Sequence, residues 1–177
     1  MALGQLNLWP AFKIRDRPGK RNMTHRPEIH VAIALLIRQG QFLLQLRDDI
    51  PTILYPGCWA FFGGHIEPGE MPEAGIWREL QEEINYRPPA LSRFIEWRNE
   101  HIVRHVFYGE LTVPPEQLEL NEGWDLGLWT VDDIRKGERF SARANQVRPL
   151  GQPHQALLLK FIAERGDLIR SIDAPRV

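Results

Sequence analysis

The sequence predicts one domain of mixed α and β structure, and three observations lead to this prediction. Short runs rich in Val, Ile, Leu and aromatic residues are separated by turn signals such as Gln39-Gly40, which is typical of β-strands. Residues 72–85 and 153–164 instead carry apolar residues at helical spacing. A chain of 177 residues is long enough to bury one core and has the usual size of one domain.

Composition and charge are those of an ordinary globular protein. Hydrophobic residues make up 43% of the sequence and the formal net charge is −1, so we expect no bulk field that attracts nucleic acid or a membrane. The single cysteine, Cys58, excludes a disulfide framework within the chain and fits a reducing, cytoplasmic location. We expect neither a membrane span nor a secretory signal, because the sequence lacks apolar runs of the required kind.

Residues 1–22 differ in composition from the rest of the chain. They contain one acidic residue, Asp16, and five basic residues: Lys13, Arg15, Arg17, Lys20 and Arg21. We interpret this basic extension as a disordered, solvated tail in preference to a nucleic-acid-binding arm. Its deletion should leave the melting temperature and kcat nearly unchanged. A translation start at Met23 stays open, and residues 23–177 are assigned to the single domain.

Strands and helices can be placed coarsely along this domain. Six strands are predicted, at residues 28–38, 41–47, 59–62, 90–98, 102–111 and 126–131. Besides the helix that begins at Pro72, we predict a helical turn at 132–137 capped by Asp132 and a closing helix at 153–164. A glycine-rich turn is predicted at 62–64, and the long loop at 48–57 is a candidate substrate contact.

The most informative stretch is residues 64–86, GHIEPGEMPEAGIWRELQEEINY. Pro72 suits the first turn of a helix, because its missing N–H would have no partner there. Within that helix Glu79, Glu82 and Glu83 stand at positions i, i+3 and i+4, and therefore share one face. A neighbouring arc can pack on a core and consists of Ile76, Trp77, Leu80 and Ile84.

Three carboxylates on one helix face repel one another, and the repulsion grows as water is removed near a core. Arg78 can offset part of this repulsion, because its positive charge stands four positions before Glu82 on the helix. A hard divalent cation would offset far more, since oxygen-only carboxylate sites suit Mg²⁺, with Mn²⁺ as an alternative. For this carboxylate pattern alone, a solvated acidic helix face would be the better interpretation.

The wider spacing favours the metal site. It runs Gly64, five residues, Glu70, seven residues, Arg78-Glu79-Leu80, one residue, Glu82-Glu83. This spacing resembles the Nudix box, the signature of the Nudix hydrolases, over 23 of the 177 residues. The family's closing Gly-aliphatic pair is Asn85-Tyr86 here, a mild departure because Asn also suits a left-handed helix C-cap. Phe62 stands where the family often has Pro, which bears on substrate contacts and leaves the metal site untouched.

The resemblance implies an α/β/α sandwich on a mixed β-sheet, across roughly residues 26–165. It also implies metal-dependent hydrolysis of the pyrophosphate bond in a nucleoside diphosphate linked to another group. The implied metal ligands are the carbonyl of Gly64 and the carboxylates of Glu79, Glu82 and Glu83. Arg78 would orient a ligand glutamate, and Glu70 would support the ligands without touching the metal.

The resemblance also suggests a general base. Many Nudix hydrolases take a glutamate from the loop before the last short strand, which here reads LELNEGWDLGLW. Glu122 is the best match, and Glu119 is the alternative. A solvated loop carboxylate without a catalytic role is about as well supported at this stage.

Four further residues are candidate substrate contacts: Arg47, Trp59, Phe61 and His65. Arg47 could meet a phosphate or pair with the aspartates that follow it. Trp59 and Phe61 could stack on a base, although filling the core is favoured for each. His65 could touch a phosphate or lie on the surface. The expected partner is a small nucleotide, without nucleic acid or membrane, and a homodimer stays open.

Two other functions compete with the hydrolase. A non-catalytic Nudix-fold ligand sensor need not keep every box carboxylate, and the sequence after residue 145 is too short for a winged helix. A Nudix-fold isopentenyl diphosphate isomerase would need a reactive Cys58, whose surroundings do not resemble the isomerase motif. The substrate cannot be read from the sequence: oxidised nucleotides, sugar nucleotides, ADP-ribose and dinucleotide polyphosphates are all open.

Overall fold

The computed structural model describes residues 28–98 and 101–173. The basic extension at 1–22 and Met23 lie outside the described residues. In chain order the strands of the main sheet are β1 Ile29–Arg38, β2 Gln41–Leu46, β3 Trp59–Ala60, β4 Phe62–His65, β5 Ser92–Arg98, β6 Ile102–Glu110 and β7 Asp125–Trp129. The helices are α1 Pro72–Ile84, α2 Val131–Lys136 and α3 Gln152–Asp173, and a separate hairpin consists of β8 Glu138–Ser141 and β9 Gln146–Pro149.

The main sheet is mixed. Its strand order is β3-β2-β1-β6-β5, with β4 added to β1 and β7 added to β2. β1 and β6 run parallel over nine residue pairs, from Ile29↔Ile102 to Ile37↔Glu110. The other strand pairings of this sheet are antiparallel. β1 therefore lies at the centre and has neighbours along both edges.

Helices cover both faces of the sheet, so the predicted α/β/α sandwich is confirmed. Alternate residues of β1 point to opposite faces, as the strand period requires. Ala32, Ala34 and Leu36 pack with the α1 residues Ile76, Leu80 and Ile84. The opposite face packs against α2 and α3 through Ile33, Leu35, Ile37, Ile134, Leu158 and Phe161. The functional helix α1 is thus fixed to the sheet along one buried stripe.

α1 begins and ends as the sequence predicts. Pro72 lies in its first turn, where the proline lacks only an N–H that would be unpaired. Asn85 ends the helix in the left-handed conformation (φ 47°, ψ 39°), and its N–H donates to the carbonyl of Gln81. The departure from glycine at this position therefore leaves the helix end intact.

The predicted glycine turn at 62–64 is wrong, because these residues form most of β4. Gly63 and Gly64 pair with Ile33 and Ala32 of β1. Gly63 has a φ of +123°, and a Cβ there would lie 2.1 Å from the carbonyl oxygen of Ala32. The glycines allow a close backbone approach within a strand, which a sequence pattern cannot distinguish from a turn.

Two other expectations near the C-terminal end also need correction, and one element was missed. Thr130, not Asp132, caps α2, and it forms a reciprocal capping box with Asp133. α3 continues to Asp173, past the predicted end at residue 164, and has a kink at Arg165. The hairpin of β8 and β9 was missed, because its strands lack the apolar alternation that marks a half-buried strand.

Candidate active site

Arg78 is the centre of a network of acidic groups on α1 and on the loop before it. Its Nε and Nη2 donate to the two oxygens of Glu70, both at 3.0 Å. Its Nη1 donates to Glu79 at 2.9 Å and to Glu82 at 3.0 Å, and Nη2 also donates to the carbonyl of His65 at 2.8 Å. The guanidinium therefore holds three carboxylates in place, and the bidentate contact to Glu70 fixes its plane.

Glu70 is held in turn by the loop before the helix. Its Oε2 accepts a hydrogen bond from the backbone N–H of Glu67 at 3.0 Å. The hydrogen bonds from Arg78, followed by that from the backbone of Glu67, lower the pKa of Glu70. A carboxylate that stays ionised can keep Arg78 directed toward Glu79 and Glu82.

Glu83 lies on the inner side of the carboxylate group. Its side chain is buried, with Oε2 accepting from the N–H of Gly63 at 2.7 Å and Oε1 accepting from Nε2 of Gln45 at 3.0 Å. Burial raises the pKa of Glu83 to about 8, against the effect of these two hydrogen bonds, and the charges of Glu79 and Glu122 raise it further. Without a cation nearby, Glu83 is therefore mostly protonated at neutral pH.

Glu79 packs directly against β4. A Cβ placed on Gly64 would lie 2.6 Å from Oε2 of Glu79, so only glycine leaves room for this carboxylate. Partial burial raises the pKa of Glu79, while Arg78 opposes the shift. The charges of Glu82 and Glu122 add to the rise. Glu79 and the Gly64 backbone consequently lie side by side.

The loop before β7 brings Glu122 to the same place. The backbone N–H of Asn121 donates to the carbonyl of Glu83, and its side-chain Nδ2 donates to the carbonyl of Glu82, both at 2.8 Å. Gly123 follows with a positive φ of 87° and packs on the backbone of Leu46. Glu122 itself is exposed, and its charge contributes to the raised pKa of Glu79 and Glu83.

The alternative base, Glu119, has a different position. Its Oε2 accepts a hydrogen bond from Nδ2 of Asn85 at 3.1 Å, at the end of α1. Its backbone N–H contacts the carbonyl of Ile84. The geometry thus associates Glu119 with the helix end and Glu122 with the carboxylates.

The donor chemistry of this group fits a hard divalent cation. Glu79, Glu82 and Glu83 offer only oxygen, as does the carbonyl of Gly64. Within residues 28–98 and 101–173, no three acidic, imidazole or thiol groups already converge around one point. Arg78 lies between Glu79 and Glu82 instead, and Glu83 is turned toward Gly63 and Gln45. The positively charged guanidinium of Arg78 therefore fills part of the space between the carboxylate oxygens of Glu79 and Glu82.

A cavity of about 180 Å³ opens on the other side of β4. Gly63 and Gly64 form one of its walls, so it adjoins the carboxylate group. Three of the four predicted contact residues line it: Arg47, Phe61 and His65. Arg47 donates from Nε to the carbonyl of Leu54 at 2.9 Å, and the loop at 48–57 contributes Leu54 and Tyr55 to the lining.

Trp59 is the exception among the predicted contacts. It is 1% exposed and packs edge-on against Trp129, with ring centroids 5.5 Å apart. It is absent from the cavity lining, so its position corresponds to the core-filling alternative. Phe61, at 2% exposure, belongs both to the core and to the cavity wall.

Cys58 lacks the features of a reactive thiol. Burial raises its pKa, and the charge of Asp49 adds to the rise, while Arg148 and Arg47 oppose it. A raised pKa reduces the thiolate fraction, and the thiolate is the nucleophile. The isopentenyl diphosphate isomerase alternative requires a reactive Cys58, and the raised pKa argues against it.

Sequence reasoning missed two residues that organise the site, Gln45 and Asn121. Gln45 is 2% exposed and donates to the carbonyl of Phe61 as well as to Glu83. A polar residue in the otherwise apolar run FLLQL was the signal that could have identified it. Asn121 stands in a polar loop where no sequence signal separates it from its neighbours.

The fold and the site together define an α/β/α protein with an oxygen-donor carboxylate centre at the edge of a cavity. The chain belongs to the Nudix family, because the NUDIX domain model matches residues 26–150. Within the described part of the chain, none of the helices has both the length and the apolar character needed to cross a bilayer.

Two relatives illustrate this membership. The chain is 29% identical over 146 residues to the NAD-capped RNA hydrolase NudC of Stutzerimonas stutzeri, covering 75% of this chain and 50% of that protein. It is 32% identical over 83 residues to the nucleoside triphosphatase NudI of Escherichia fergusonii, covering 46% of this chain and 57% of that protein. The chain thus spans about half the length of the curated relatives it matches.

Solved structures share the fold. MutT, from a study of the Aliivibrio salmonicida and Vibrio cholerae proteins, superposes with a TM-score of 0.60 at 21% identity, over 77% of this chain and 98% of that one. The NUDIX domain of Shewanella oneidensis NrtR, complexed with ADP ribose, gives a TM-score of 0.60 at 19% identity, over 79% and 89%. At such identities the likeness concerns the fold alone.

Proposed function

We propose that the protein is a metal-dependent hydrolase that cleaves the pyrophosphate bond of a nucleoside diphosphate linked to another group. The observation that supports this proposal is that α1 carries Glu79, Glu82 and Glu83 beside the β4 wall of the cavity. Glu122 lies near enough for its charge to raise the pKa of Glu79 and Glu83. The names of the two relatives, a capped-RNA hydrolase and a nucleoside triphosphatase, support hydrolysis at a phosphoanhydride.

Mg²⁺, or alternatively Mn²⁺, would be held by Glu79, Glu82, Glu83 and the carbonyl oxygen of Gly64. When bound, the cation supplies charge neutralisation at the phosphoryl oxygens and lowers the pKa of a water molecule. Arg78 orients Glu79 and Glu82 through its Nη1, and Glu70 keeps Arg78 in place. Glu83 must lose the proton that its raised pKa retains at neutral pH before it can act as a ligand.

Glu122 is the proposed general base. Carboxylates that hold a cation are poor bases, so a further group that accepts the proton of the attacking water is useful. Asn121 anchors the loop at the carbonyls of Glu82 and Glu83, which keeps the Glu122 carboxylate beside the site. A proton accepted at its exposed carboxylate oxygen can pass directly to solvent.

The partner in this proposal is a small nucleotide, and a cytoplasmic location and a homodimer stay predictions. A screen of nucleotide substrates with Mg²⁺, followed by ³¹P NMR, tests the function. We expect the paired pyrophosphate signals of at least one substrate to be replaced by two monophosphate signals, and EDTA or Glu82→Gln to prevent this. The sensor alternative instead requires tight binding of a nucleotide with unchanged ³¹P signals. That result across the whole screen would contradict the proposal.

A further inference from the structure

We propose that Arg148 is a positioning residue, which joins the loop beside the cavity to the loop that carries Glu122. The two loops are residues 48–57, here called the cavity loop, and residues 118–124, here called the base loop. Through its contacts with both, Arg148 holds the Glu122 carboxylate in place while a substrate occupies the cavity. This inference rests on the proposed function, because it concerns the position of the proposed general base.

The contact with the cavity loop is an ion pair. Arg148 belongs to β9, and both its Nη1 and its Nη2 donate to Oδ2 of Asp49 at 3.2 Å. The side chain of Arg148 is 18% exposed, against 44% for that of Asp49. A Cβ on Gly57 would lie 2.7 Å from Nη1 of Arg148, so the guanidinium also lies against the far end of the same loop. Arg148 therefore contacts both ends of the cavity loop.

The contact with the base loop is a cation–π interaction. The guanidinium carbon of Arg148 lies 5.3 Å from the centroid of the Trp124 ring, within the range of about 6 Å over which such a pair attracts. Trp124 stands two residues after Glu122, and its N–H donates to the carbonyl of Leu46 at 2.8 Å. One guanidinium is thus shared between Asp49 and Trp124, so a displacement of one loop alters the support of the other.

The hairpin of β8 and β9 is itself attached to the end of the base loop. Oγ of Ser141 donates to Oδ2 of Asp125 at 2.6 Å, and Nη1 of Arg143 donates to the carbonyl of Trp124 at 3.4 Å. Arg148 extends this attachment from the base loop to the cavity loop.

The two loops have different tasks in the proposed reaction. The cavity loop contributes Leu54 and Tyr55 to the cavity lining, so a substrate that fills the cavity contacts this loop. The base loop carries Glu122, whose position relative to the attacking water determines the rate. Arg148 therefore connects the part of the protein that meets the distal end of the substrate with the part that accepts the proton.

Amide hydrogen exchange, measured by NMR without any ligand, tests the connection between the loops. The reporters are the backbone N–H groups of Asn121 and Trp124, each bonded to a carbonyl at 2.8 Å. Arg148→Gln should accelerate their exchange about 3–10-fold, and Asp49→Asn, in the other loop, about 2–5-fold, the scale of a partly exposed ion pair. The N–H of Ile134 in α2 should exchange at an unchanged rate.

Turnover tests the effect on Glu122, using ADP-ribose, UDP-glucose and NADH with Mg²⁺. Arg148→Gln should lower kcat about 3–10-fold. Because Arg148 acts through Glu122, the same substitution in the Glu122→Gln background should lower kcat by less than about 1.5-fold. Arg148→Lys keeps a positive charge beside Asp49 without the planar fork and should recover part of the loss.

Arg135→Gln is the matched control, because it removes an Arg–Asp pair from α2, where Arg135 donates to Asp132 at 2.9 Å. It should change neither the exchange of the base loop nor kcat. Melting temperatures establish that each variant is folded.

Unchanged exchange of the base loop in Arg148→Gln would overturn the proposal. Equal acceleration at Asn121, Trp124 and Ile134 would also overturn it, since Arg148 would then support only the overall stability. An unchanged kcat, or a loss that keeps its full size in the Glu122→Gln background, would contradict the positioning of Glu122. If the wild type hydrolyses none of these nucleotides, the exchange measurements alone decide whether Arg148 joins the loops, so this failure is distinguishable from that of the hydrolase function.

Discussion

The side-chain amide of Gln45 donates to Oε1 of Glu83 over 3.0 Å, and both groups are buried. This bond connects β2 of the central sheet to the acidic face of α1. Gly63 of β4 donates to the other oxygen of the same carboxylate at 2.7 Å. Glu83 is thus the carboxylate whose position depends most directly on the sheet. Its ionisation depends on its burial and on the charges of Glu79 and Glu122.

The stability of the metal-free protein should therefore depend on pH through Glu83. Its pKa is raised from 4.5 to about 8 in the folded state. The folded state holds a proton that the unfolded state releases, so this contribution to stability is complete below about pH 4.5 and is lost as the pH rises to about 8. Glu83→Gln resembles the protonated carboxyl and cannot ionise.

In EDTA, the melting temperature of Glu83→Gln should equal that of the wild type near pH 4.5 and exceed it above pH 8. For a chain of this size, each kcal/mol corresponds to about 2–4 °C. Glu82→Gln, at a side chain that is 55% exposed, is the control and should show no such divergence. Parallel pH profiles of the wild type and Glu83→Gln would contradict this assignment.

Asn121 should act as a positioning residue for the base. Asn121→Ala removes the hydrogen bond to the carbonyl of Glu82 and leaves the backbone bond to Glu83 in place. We expect kcat to fall about 3–10-fold with little change in KM, and stability to fall by about 0.5–1.5 kcal/mol. Gln117→Ala removes an exposed amide from the short 3₁₀ helix Pro115–Gln117, which precedes this loop, and should alter neither quantity. A larger effect on KM than on kcat would instead associate Asn121 with substrate binding.

Glu122→Gln should lower kcat by about 10²–10⁴, the usual range for the loss of a general base. Substrate affinity should stay nearly intact. Glu119→Gln is the matched control, because its carboxylate lies at the end of α1 beside Asn85. Normal turnover by Glu122→Gln with a loss in Glu119→Gln would transfer the role to Glu119.

Gly64→Ala should weaken metal binding without disrupting β4. The backbone of Gly64 lies outside the left-handed region, so alanine is compatible with its conformation, but the new Cβ would lie 2.6 Å from Oε2 of Glu79. Glu79 must then move. We expect the Mg²⁺ concentration for half-maximal activity to rise about 10-fold, with a small change in melting temperature. An unchanged Mg²⁺ requirement would show that metal binding does not depend on the present position of the Glu79 carboxylate.

The sequence contained enough information to predict the parts of the site that depend on spacing along one helix. Glu79, Glu82 and Arg78 come together because the helical period places them there, and Arg78 does bond to its i+4 partner. The sandwich followed from the family resemblance more than from periodicity, which predicts only mixed α and β structure.

The parts that were missed depend on contacts between distant segments. Gln45 reaches Glu83 across 38 positions, and Asn121 reaches Glu82 across 39. Gly63 and Gly64 form a strand because β1 passes close to them, and Trp59 fills the core because Trp129 meets it there. Local sequence carries no signal for such tertiary partners. For this reason the two glycines were predicted to form a turn, and Trp59 was included among the candidate substrate contacts.

Turnover as a function of Mg²⁺ tests the central claim most directly, using wild type, Glu82→Gln and Glu83→Gln on one established substrate. The account requires no turnover in EDTA, saturable recovery with Mg²⁺ or Mn²⁺, and a loss of at least about 100-fold in each variant, because each removes a ligand or its charge. Melting temperatures near that of the wild type would show that the variants are folded. Full turnover in EDTA, or near wild-type rates in both variants, would contradict the assignment of these carboxylates as the metal site.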